Sequence, residues 1–249
     1  MVPVNLVSFG DSFTFGNELP GDNPGPSKVT WAGKLADKLE RFYVCKAKGG
    51  NANSAIARSV INWLAHKRDD LDCMVTIMWT FPGRYEYMFN HDNEWHNVTP
   101  WEADPNIDNL KKQYKNFDEE TYKENKEKLE KIQGTPIEYH AKSHFEHIDS
   151  HEYASYMSMK DILLTQNTLE YYEVPYMFCF AHNSIFHLSP GNTLLYSLLD
   201  QSKWFQFDNN QGFMQWAEKE GYEFGSTHPL EQAHEEAANI MHSWILDNY

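Results

Sequence analysis

Residues 4–14 read VNLVSFGDSFT, an apolar run followed at once by small and polar residues. The run 4–9 predicts a buried first strand that ends at Gly10, because β-branched and aromatic residues favour strands and glycine interrupts them. Ser12 then lies in a turn from strand to helix, which exposes its hydroxyl at the end of the strand. The neighbouring backbone N–H groups point the same way and can receive a developing negative charge on oxygen. The turn therefore suits a serine nucleophile.

Strand-like and helix-like segments alternate along the rest of the chain. Apolar runs predict further strands at 42–47, 72–80 and 175–181. Helical spacing of apolar residues predicts helices over 30–42, 52–67, 155–172 and 229–248, with shorter ones at 194–199 and 213–220. This alternation is typical of a parallel sheet with crossover helices, so the sequence predicts an α/β fold.

The middle of the chain has a different character. From about residue 85 to residue 150 it is polar, charged and dotted with aromatic residues, and it includes a charged helical stretch at 119–131. Excursions of this length are uncommon inside a compact domain, and this one has few aliphatic residues for a core of its own. We therefore expect one domain over 1–249 that carries a large helical insertion or cap at about 86–150.

The overall composition limits the partners of the chain. Its formal net charge is -15, and hydrophobic residues make up 41% of it, which indicates an acidic globular protein. A nucleic-acid binder needs clustered basic residues, so we expect no nucleic-acid partner. An acidic surface repels anionic membranes, and no apolar stretch approaches the length of a membrane span, so we expect no membrane partner.

Cys45, Cys73 and Cys179 each lie in an apolar, strand-like run. An odd number of scattered cysteines is untypical of a disulfide framework or a metal site, so we predict buried free thiols and a reducing compartment. No basic segment followed by a long apolar stretch opens the chain, which leads us to expect a cytoplasmic location. Release by cell lysis and association with a virion stay open as alternatives.

Chemically useful residues follow each predicted strand. In open parallel sheets, active sites lie at the carboxyl ends of the strands. We predict that Ser12 is a nucleophile and that His228, just before the last helix, is the base that takes its proton. A glycine in the loop after the second strand can offer an oxyanion N–H, and a polar side chain after the third strand can offer another donor.

Two motifs resemble those of a known family. Residues 7–14, VSFGDSFT, resemble the first block of the SGNH (GDSL-type) hydrolases, and His228 with Pro229 resembles their C-terminal histidine block. The likeness covers the chain except for about 86–150. The patterns Gly-Gly-x-x-Asn at 49–53 and Trp-Thr-x-Pro-x-Arg at 79–84 are similar to those of SGNH-like proteins of tailed bacteriophages.

The resemblance implies a flavodoxin-like three-layer α/β/α sandwich. It also implies a serine-dependent ester hydrolase, of carboxylesterase or glycan O-deacetylase type, that needs no metal and no other cofactor. Within it, Ser12 matches the nucleophile, His228 the base, and Gly50 the oxyanion glycine, with Gly49 as an alternative register. The implied partner is a small-molecule or glycan ester, and a homo-oligomer stays open.

Two positions depart from the family pattern. Thr80 stands where the family has an asparagine donor, and losing one such donor costs about 10²–10³ in kcat. Arg84 would then compensate or bind an acidic substrate group. Gly225 stands where the family has the aspartate that orients the histidine, so Glu223 or a backbone carbonyl is the expected substitute. These departures leave open a second function, an SGNH-shaped binding protein or virion structural protein without catalysis.

Other residues near the strand ends are candidates for substrate binding. They are Asp11, Asn53, Trp79, Arg84 and His182, with a helix-capping role as the alternative for Asp11. A stacking surface for sugars, or else packing under the insertion, is expected of the aromatic residues Trp79, Phe81, Tyr85, Tyr87, Trp95 and Trp101. His234, inside the last helix, is expected to be structural.

A row of histidines lies at 140, 144, 147 and 151, with spacings of four, three and four residues. If the segment is helical, the four rings share one face. The alternatives are a metal-dependent enzyme, a polar helix face or a stripe that lies on the cap, and a pH-sensitive cap. We favour the polar face and predict no metal.

Overall fold

The computed structural model describes residues 4–22, 25–67, 72–104, 119–186 and 189–249. At its centre lies a four-stranded parallel sheet of β1 (Asn5–Phe9), β2 (Phe42–Cys45), β3 (Cys73–Trp79) and β6 (Tyr176–Phe180). The strand order is β2-β1-β3-β6. Val7 of β1 is in register with Val44 on one side and with Val75 on the other. The predicted α/β fold with a central parallel sheet is confirmed.

Helices cover both faces of this sheet. The α-helices of the described ranges are α1 (Ser12–Phe15), α2 (Trp31–Lys38), α3 (Asn53–Lys67), α4 (Pro100–Ala103), α5 (Glu119–Ile132), α6 (Pro136–His147), α7 (His151–Tyr171), α8 (Pro190–Tyr196), α9 (Phe213–Lys219) and α10 (Glu231–Asn248). Helices α2 and α10 pack together on one face, and α3 and α7 pack together on the other. The result is the three-layer arrangement that the resemblance implies.

Alternation along the strands explains the two cores. Met74 and Met78 of β3 belong to the apolar cluster that holds α2, α9 and α10, whereas Val75 and Ile77 belong to the cluster that holds α3 and α7. Successive side chains of a strand point to opposite faces, so an apolar residue at every position buries a sheet on both sides. Every residue of β3 is buried, as a central parallel strand requires.

The segment after β3 contains a β-hairpin that the sequence analysis did not predict. Strands β4 (Tyr85–Phe89) and β5 (Glu94–Val98) pair antiparallel. Tyr85, Tyr87 and Phe89 all contact histidines of α6, whereas Glu86 points the other way to Arg58 of α3. An aromatic residue at every second position was the available signal. The division into one domain with an insertion at 86–150 stays a prediction.

The three cysteines are free thiols, as predicted. Cys73 and Cys179 are buried, whereas Cys45 is only half-buried because β2 is an edge strand of the sheet. Across the described ranges, every helix is too short or too polar to cross a lipid bilayer.

Candidate active site

Ser12 opens helix α1 directly after strand β1. Asp11 caps this helix, because its Oδ1 accepts a hydrogen bond from the Phe13 N–H at 3.1 Å. A Cβ atom at Gly10 would lie 2.3 Å from Thr14 Oγ1, so the turn requires glycine at this position. The tight turn holds Ser12 at the carboxyl end of β1, where the sequence predicts it.

His228 meets Ser12 across this end of the sheet. Its Nε2 lies 2.7 Å from Ser12 Oγ, a hydrogen-bond distance. A tight loop before α10 holds the histidine, since the Gly225 N–H donates to the His228 carbonyl at 2.9 Å. The Phe13 ring packs edge-on against the imidazole, with 4.8 Å between ring centroids. This contact places an imidazole where it can take the proton of the hydroxyl.

A carboxylate faces the other nitrogen of the imidazole. Glu18 Oε1 lies 3.0 Å from His228 Nδ1. The Thr227 N–H donates to both Glu18 oxygens at 3.1 Å, and the Thr227 hydroxyl donates to Oε1 at 2.7 Å. Burial by itself raises the pKa of Glu18, but the hydrogen bond and charge of His228 and the bonds from Thr227 outweigh it, so the net pKa is lowered. Glu18 is therefore ionised at neutral pH.

Glu18 was absent from the sequence prediction. Glu223, which we expected to orient His228, is exposed instead, and its backbone carbonyl accepts a hydrogen bond from the Leu230 N–H. Glu18 lies 210 residues before His228, in a loop with neither helical nor strand periodicity. The available signal was its place shortly after Ser12, on the loop that leaves the same helix.

Two backbone N–H groups are free to bind an oxyanion. Within the described residues, neither the Ser12 nor the Gly50 N–H donates a hydrogen bond. Gly50 has φ +77°, a left-handed conformation that favours glycine. At Gly49, the alternative register, a Cβ atom would lie 3.0 Å from Asn17 Oδ1. Both N–H groups belong to the loops where the sequence predicts them.

The Thr80 hydroxyl is engaged elsewhere. It donates to Asp11 Oδ2 at 2.5 Å, and Arg84 Nη1 donates to the same oxygen at 2.9 Å. Asp11 is completely buried, so its charge needs these donors. The predicted oxyanion role of Thr80 and the predicted substrate contact of Asp11 therefore do not fit this geometry. Arg84 neutralises Asp11 rather than compensating for a missing oxyanion donor.

Asn53 is also fully used inside the protein. Its Oδ1 accepts from the Thr80 N–H at 2.8 Å, and its Nδ2 donates to the Thr80 carbonyl at 3.1 Å and to Ser158 Oγ at 3.0 Å. The side chain is only 1% exposed. Its position ties the end of β3 to helices α3 and α7 and does not support the predicted substrate contact.

Trp79 and His182, both predicted to bind substrate, differ in their exposure. Trp79 is completely buried and packs edge-on against Phe178, which contradicts a role in substrate binding. His182 is half-buried, and its ring stacks on Phe81 at 5.7 Å between centroids. Burial lowers the pKa of His182, partly offset by the charge of Glu218, so the ring is neutral at pH 7. Its position at the rim is compatible with the prediction.

The side of the site next to Phe13 is aromatic. Phe81 packs against Phe13 at 6.3 Å between centroids, and the Arg84 guanidinium lies 5.0 Å from the Phe81 ring centre. His182 stacks on Phe81, so these two half-buried rings lie together at the rim, and the buried Phe13 connects them to the His228 imidazole. Half-exposed aromatic rings in this place suit contact with an apolar group.

The histidine row does not share one helix face. Helix α6 ends at His147, and α7 begins at His151 with Ser150 as its cap, so the row is split between two helices. His144 is buried, and its Nδ1 lies 2.8 Å from the Tyr87 hydroxyl. Across the described ranges there is no group of three or more His, Cys, Asp or Glu side chains that could hold a metal ion.

Tyr85 and Trp95, two of the aromatic residues after β3, pack against neighbouring side chains rather than form an exposed platform. Tyr85 is buried and lies 4.1 Å from the His144 ring centre, so it fills the space between the hairpin and α6. Trp95 is exposed, but the Arg58 guanidinium covers its ring at 4.8 Å. Of the two alternatives predicted for these aromatic residues, Tyr85 and Trp95 therefore favour packing over a stacking surface for sugars.

Comparisons with known proteins agree with this architecture. No family model matches the chain, and no curated protein matches it. A lipase from a goat rumen metagenome aligns with a TM-score of 0.50 and 14% identity over 97% of each chain. A psychrotrophic esterase from Pseudoalteromonas sp. aligns with a TM-score of 0.50 and 11% identity over 98% of this chain and 97% of that one. These fold neighbours are ester-cleaving enzymes, and at such identities the likeness establishes the fold.

A third solved structure, a member of the lipolytic protein G-D-S-L family from Veillonella parvula, aligns with a TM-score of 0.45 and 13% identity, over 98% of this chain and 97% of that one.

Proposed function

We propose that this protein is a serine-dependent ester hydrolase, of carboxylesterase or glycan O-deacetylase type. The observation that carries the proposal is the 2.7 Å contact between Ser12 Oγ and His228 Nε2. The position of Ser12 at the carboxyl end of a central parallel strand supports it. The fold shared with a lipase and an esterase supports it as well.

The reaction proceeds through an acyl-enzyme. His228 accepts the hydroxyl proton while Ser12 Oγ attacks the acyl carbon, and the carbonyl oxygen becomes an oxyanion beside the Ser12 and Gly50 N–H groups. The protonated His228 then gives this proton to the departing alcohol, which leaves the acyl group on Ser12. Water, deprotonated by His228, attacks the acyl carbon, and the proton returns to Ser12 Oγ as the acid is released.

For the substrate we propose only its chemical class. The half-buried rings of Phe81 and His182 suit a small-molecule or glycan ester. The cytoplasmic location, a virion association, the bacteriophage resemblance and a homo-oligomer stay predictions from the sequence, as does the lack of nucleic-acid and membrane partners.

One observation favours a second candidate, an SGNH-shaped binding or virion structural protein without catalysis. The Thr80 hydroxyl donates to Asp11, so the site has two backbone donors for an oxyanion where the family resemblance implies three. Loss of one donor costs about 10²–10³ in kcat in a well-studied case. A site with such a loss can retain binding without useful turnover.

Hydrolysis of p-nitrophenyl acetate and labelling by a fluorophosphonate probe test both candidates. We expect the wild-type chain to turn over the ester, and Ser12→Ala to lose at least about 10³-fold in kcat. Mass spectrometry should locate the probe on Ser12. Ser197→Ala, at an exposed serine, is the matched control and should stay active and labelled. Equal rates for wild type and Ser12→Ala would exclude the hydrolase, and absence of labelling would favour the binding protein.

A further inference from the structure

We propose that Glu18 is the positioning residue for the His228 imidazole, supplied from the loop after the nucleophile instead of from the segment before the histidine. The proposal rests on the ester hydrolase function proposed above. It assigns the third member of the site to a position to which the family resemblance gives no role.

The contacts of Glu18 fix the imidazole in the productive state. With Glu18 Oε1 at 3.0 Å from Nδ1, the proton of a neutral imidazole lies on Nδ1. Its Nε2 then presents a lone pair to Ser12 Oγ, 2.7 Å away. A carboxylate in this place also stabilises the imidazolium that forms when Ser12 attacks. The arrangement is therefore that of a nucleophile, a base and an orienting acid.

The loop is built to hold Glu18 there. Thr227, the residue before His228, donates to both Glu18 oxygens, so the carboxylate and the imidazole are aligned by the same segment. The Glu18 N–H donates to Asp22 Oδ2 at 3.0 Å. Glu18 has φ +68°, a left-handed conformation that is sterically unfavourable for a non-glycine residue. A carboxylate kept in such a conformation, where glycine is less strained, indicates a role for the side chain.

Gly225 makes this arrangement possible. A Cβ atom at residue 225 would lie 2.1 Å from Glu18 Oε2, so a side chain there and the Glu18 carboxylate exclude each other. Residue 225 is also three positions before His228, where the family resemblance places the aspartate. A carboxylate beside His228 can therefore come either from residue 225 or from the loop after Ser12, and in this chain Glu18 of that loop supplies it.

Moving the carboxylate between the two segments tests the proposal. Glu18→Gln keeps the shape but loses the charge, and we expect kcat on p-nitrophenyl acetate to fall by about 10²–10⁴-fold with KM within about threefold of wild type. Glu18→Ala should fall at least as far. Glu18→Ala combined with Gly225→Asp should recover at least about tenfold over Glu18→Ala, because it returns a carboxylate to the vacated location. A merely structural Glu18 predicts no such recovery.

Formate provides a measurement that does not depend on how the double variant folds. Glu18 lines a surface cavity of about 390 Å³, so a small carboxylate can enter the space that Glu18→Ala leaves. We expect formate to raise kcat of Glu18→Ala at least about tenfold and to leave Ser12→Ala unchanged. The proposal is overturned if Glu18→Gln keeps a third or more of the wild-type kcat, or if neither the double variant nor formate restores activity. If Ser12→Ala matches wild type, the hydrolase itself fails, which is a separate result.

Discussion

Gly225 leaves a position open that the Glu18 carboxylate fills, with Oε2 lying 2.1 Å from where a Cβ atom of residue 225 would be. The contact joins the loop after the first strand to the loop before the last helix. Thr227, two residues after Gly225, stabilises this contact because its N–H donates a hydrogen bond to Glu18, which lies 209 residues earlier in the sequence. The loop that carries His228 is therefore held by a contact between two segments that lie far apart in the sequence.

Gly225→Ala should disturb this contact without removing any charged group. The added methyl group pushes the Glu18 carboxylate away from His228, and misplacement by about 1 Å costs roughly 10² in rate. We expect kcat to fall about 10²-fold in steady-state ester hydrolysis. Gly25→Ala is the matched control, because a Cβ atom there meets open space. Unchanged kcat in Gly225→Ala would show that the carboxylate position is unimportant.

Asp11→Asn should act mainly on stability. Asp11 is completely buried, and its Oδ2 accepts from Thr80 and Arg84. Removing one partner of a buried ion pair leaves the other charge uncompensated, so the free energy of unfolding should fall by about 3 kcal/mol in urea denaturation. Glu235→Gln, which weakens the half-buried surface pairs with Lys34 and Lys38, should cost less than about 1 kcal/mol. Equal losses in the two variants would contradict the importance of the Asp11 pair.

Asn53→Ala separates a structural from a substrate-binding role. The substitution leaves the buried Thr80 N–H and carbonyl and the Ser158 hydroxyl without the hydrogen bonds from Asn53. Each unsatisfied group lowers the free energy of unfolding by about 1–3 kcal/mol. We expect a clear drop in Tm by calorimetry, with KM within about twofold of wild type. Asn248→Ala, at an exposed asparagine, should leave Tm nearly unchanged. An unchanged Tm with a strongly raised KM would place Asn53 at the substrate instead.

His234 should make the fold sensitive to acid. It is 1% exposed, and its Nδ1 accepts a hydrogen bond from the Trp31 N–H at 3.0 Å. Burial, reinforced by the charge of His228 and opposed by a bond to Pro229, lowers its pKa from 6.5 to about 3. Below pH 6.5, His234 therefore binds a proton in the unfolded chain but stays unprotonated in the folded chain until the pH approaches about 3. The contribution of His234 to stability is complete above about pH 6.5 and is lost progressively as the pH falls to about 3.

His234→Asn tests this pH dependence. The amide oxygen can accept from the Trp31 N–H in place of Nδ1 but takes up no proton in this range. We expect the free energy of unfolding of the variant to fall less steeply than that of wild type between pH 6.5 and 3, measured by urea denaturation at a series of pH values. His147→Asn, at a histidine whose side chain is 69% exposed, should follow the wild-type curve. Parallel curves for His234→Asn and wild type would refute the assignment.

Some predictions from the sequence depended only on neighbours in the chain. The apolar run 4–9, the break at Gly10 and the helix at Ser12 follow from local propensity and periodicity, and the structure has them within a residue or two. The same holds for β3 and for the helices that cover the sheet. The hairpin of β4 and β5 was missed, although its alternation was present, because short charged strands give a weak signal.

The sequence by itself determined the parallel sheet and the loops that carry Ser12, Gly50 and His228, since the alternation of strands and helices predicts parallel strands and where each one ends. Only the tertiary structure decided what those residues touch. The Glu18 carboxylate reaches His228 because two distant loops pack together, and the Thr80 hydroxyl faces Asp11 because a buried charge requires donors. Hydrogen-bond partners across 210 residues depend on packing and charge burial, which leave no periodic trace in the sequence.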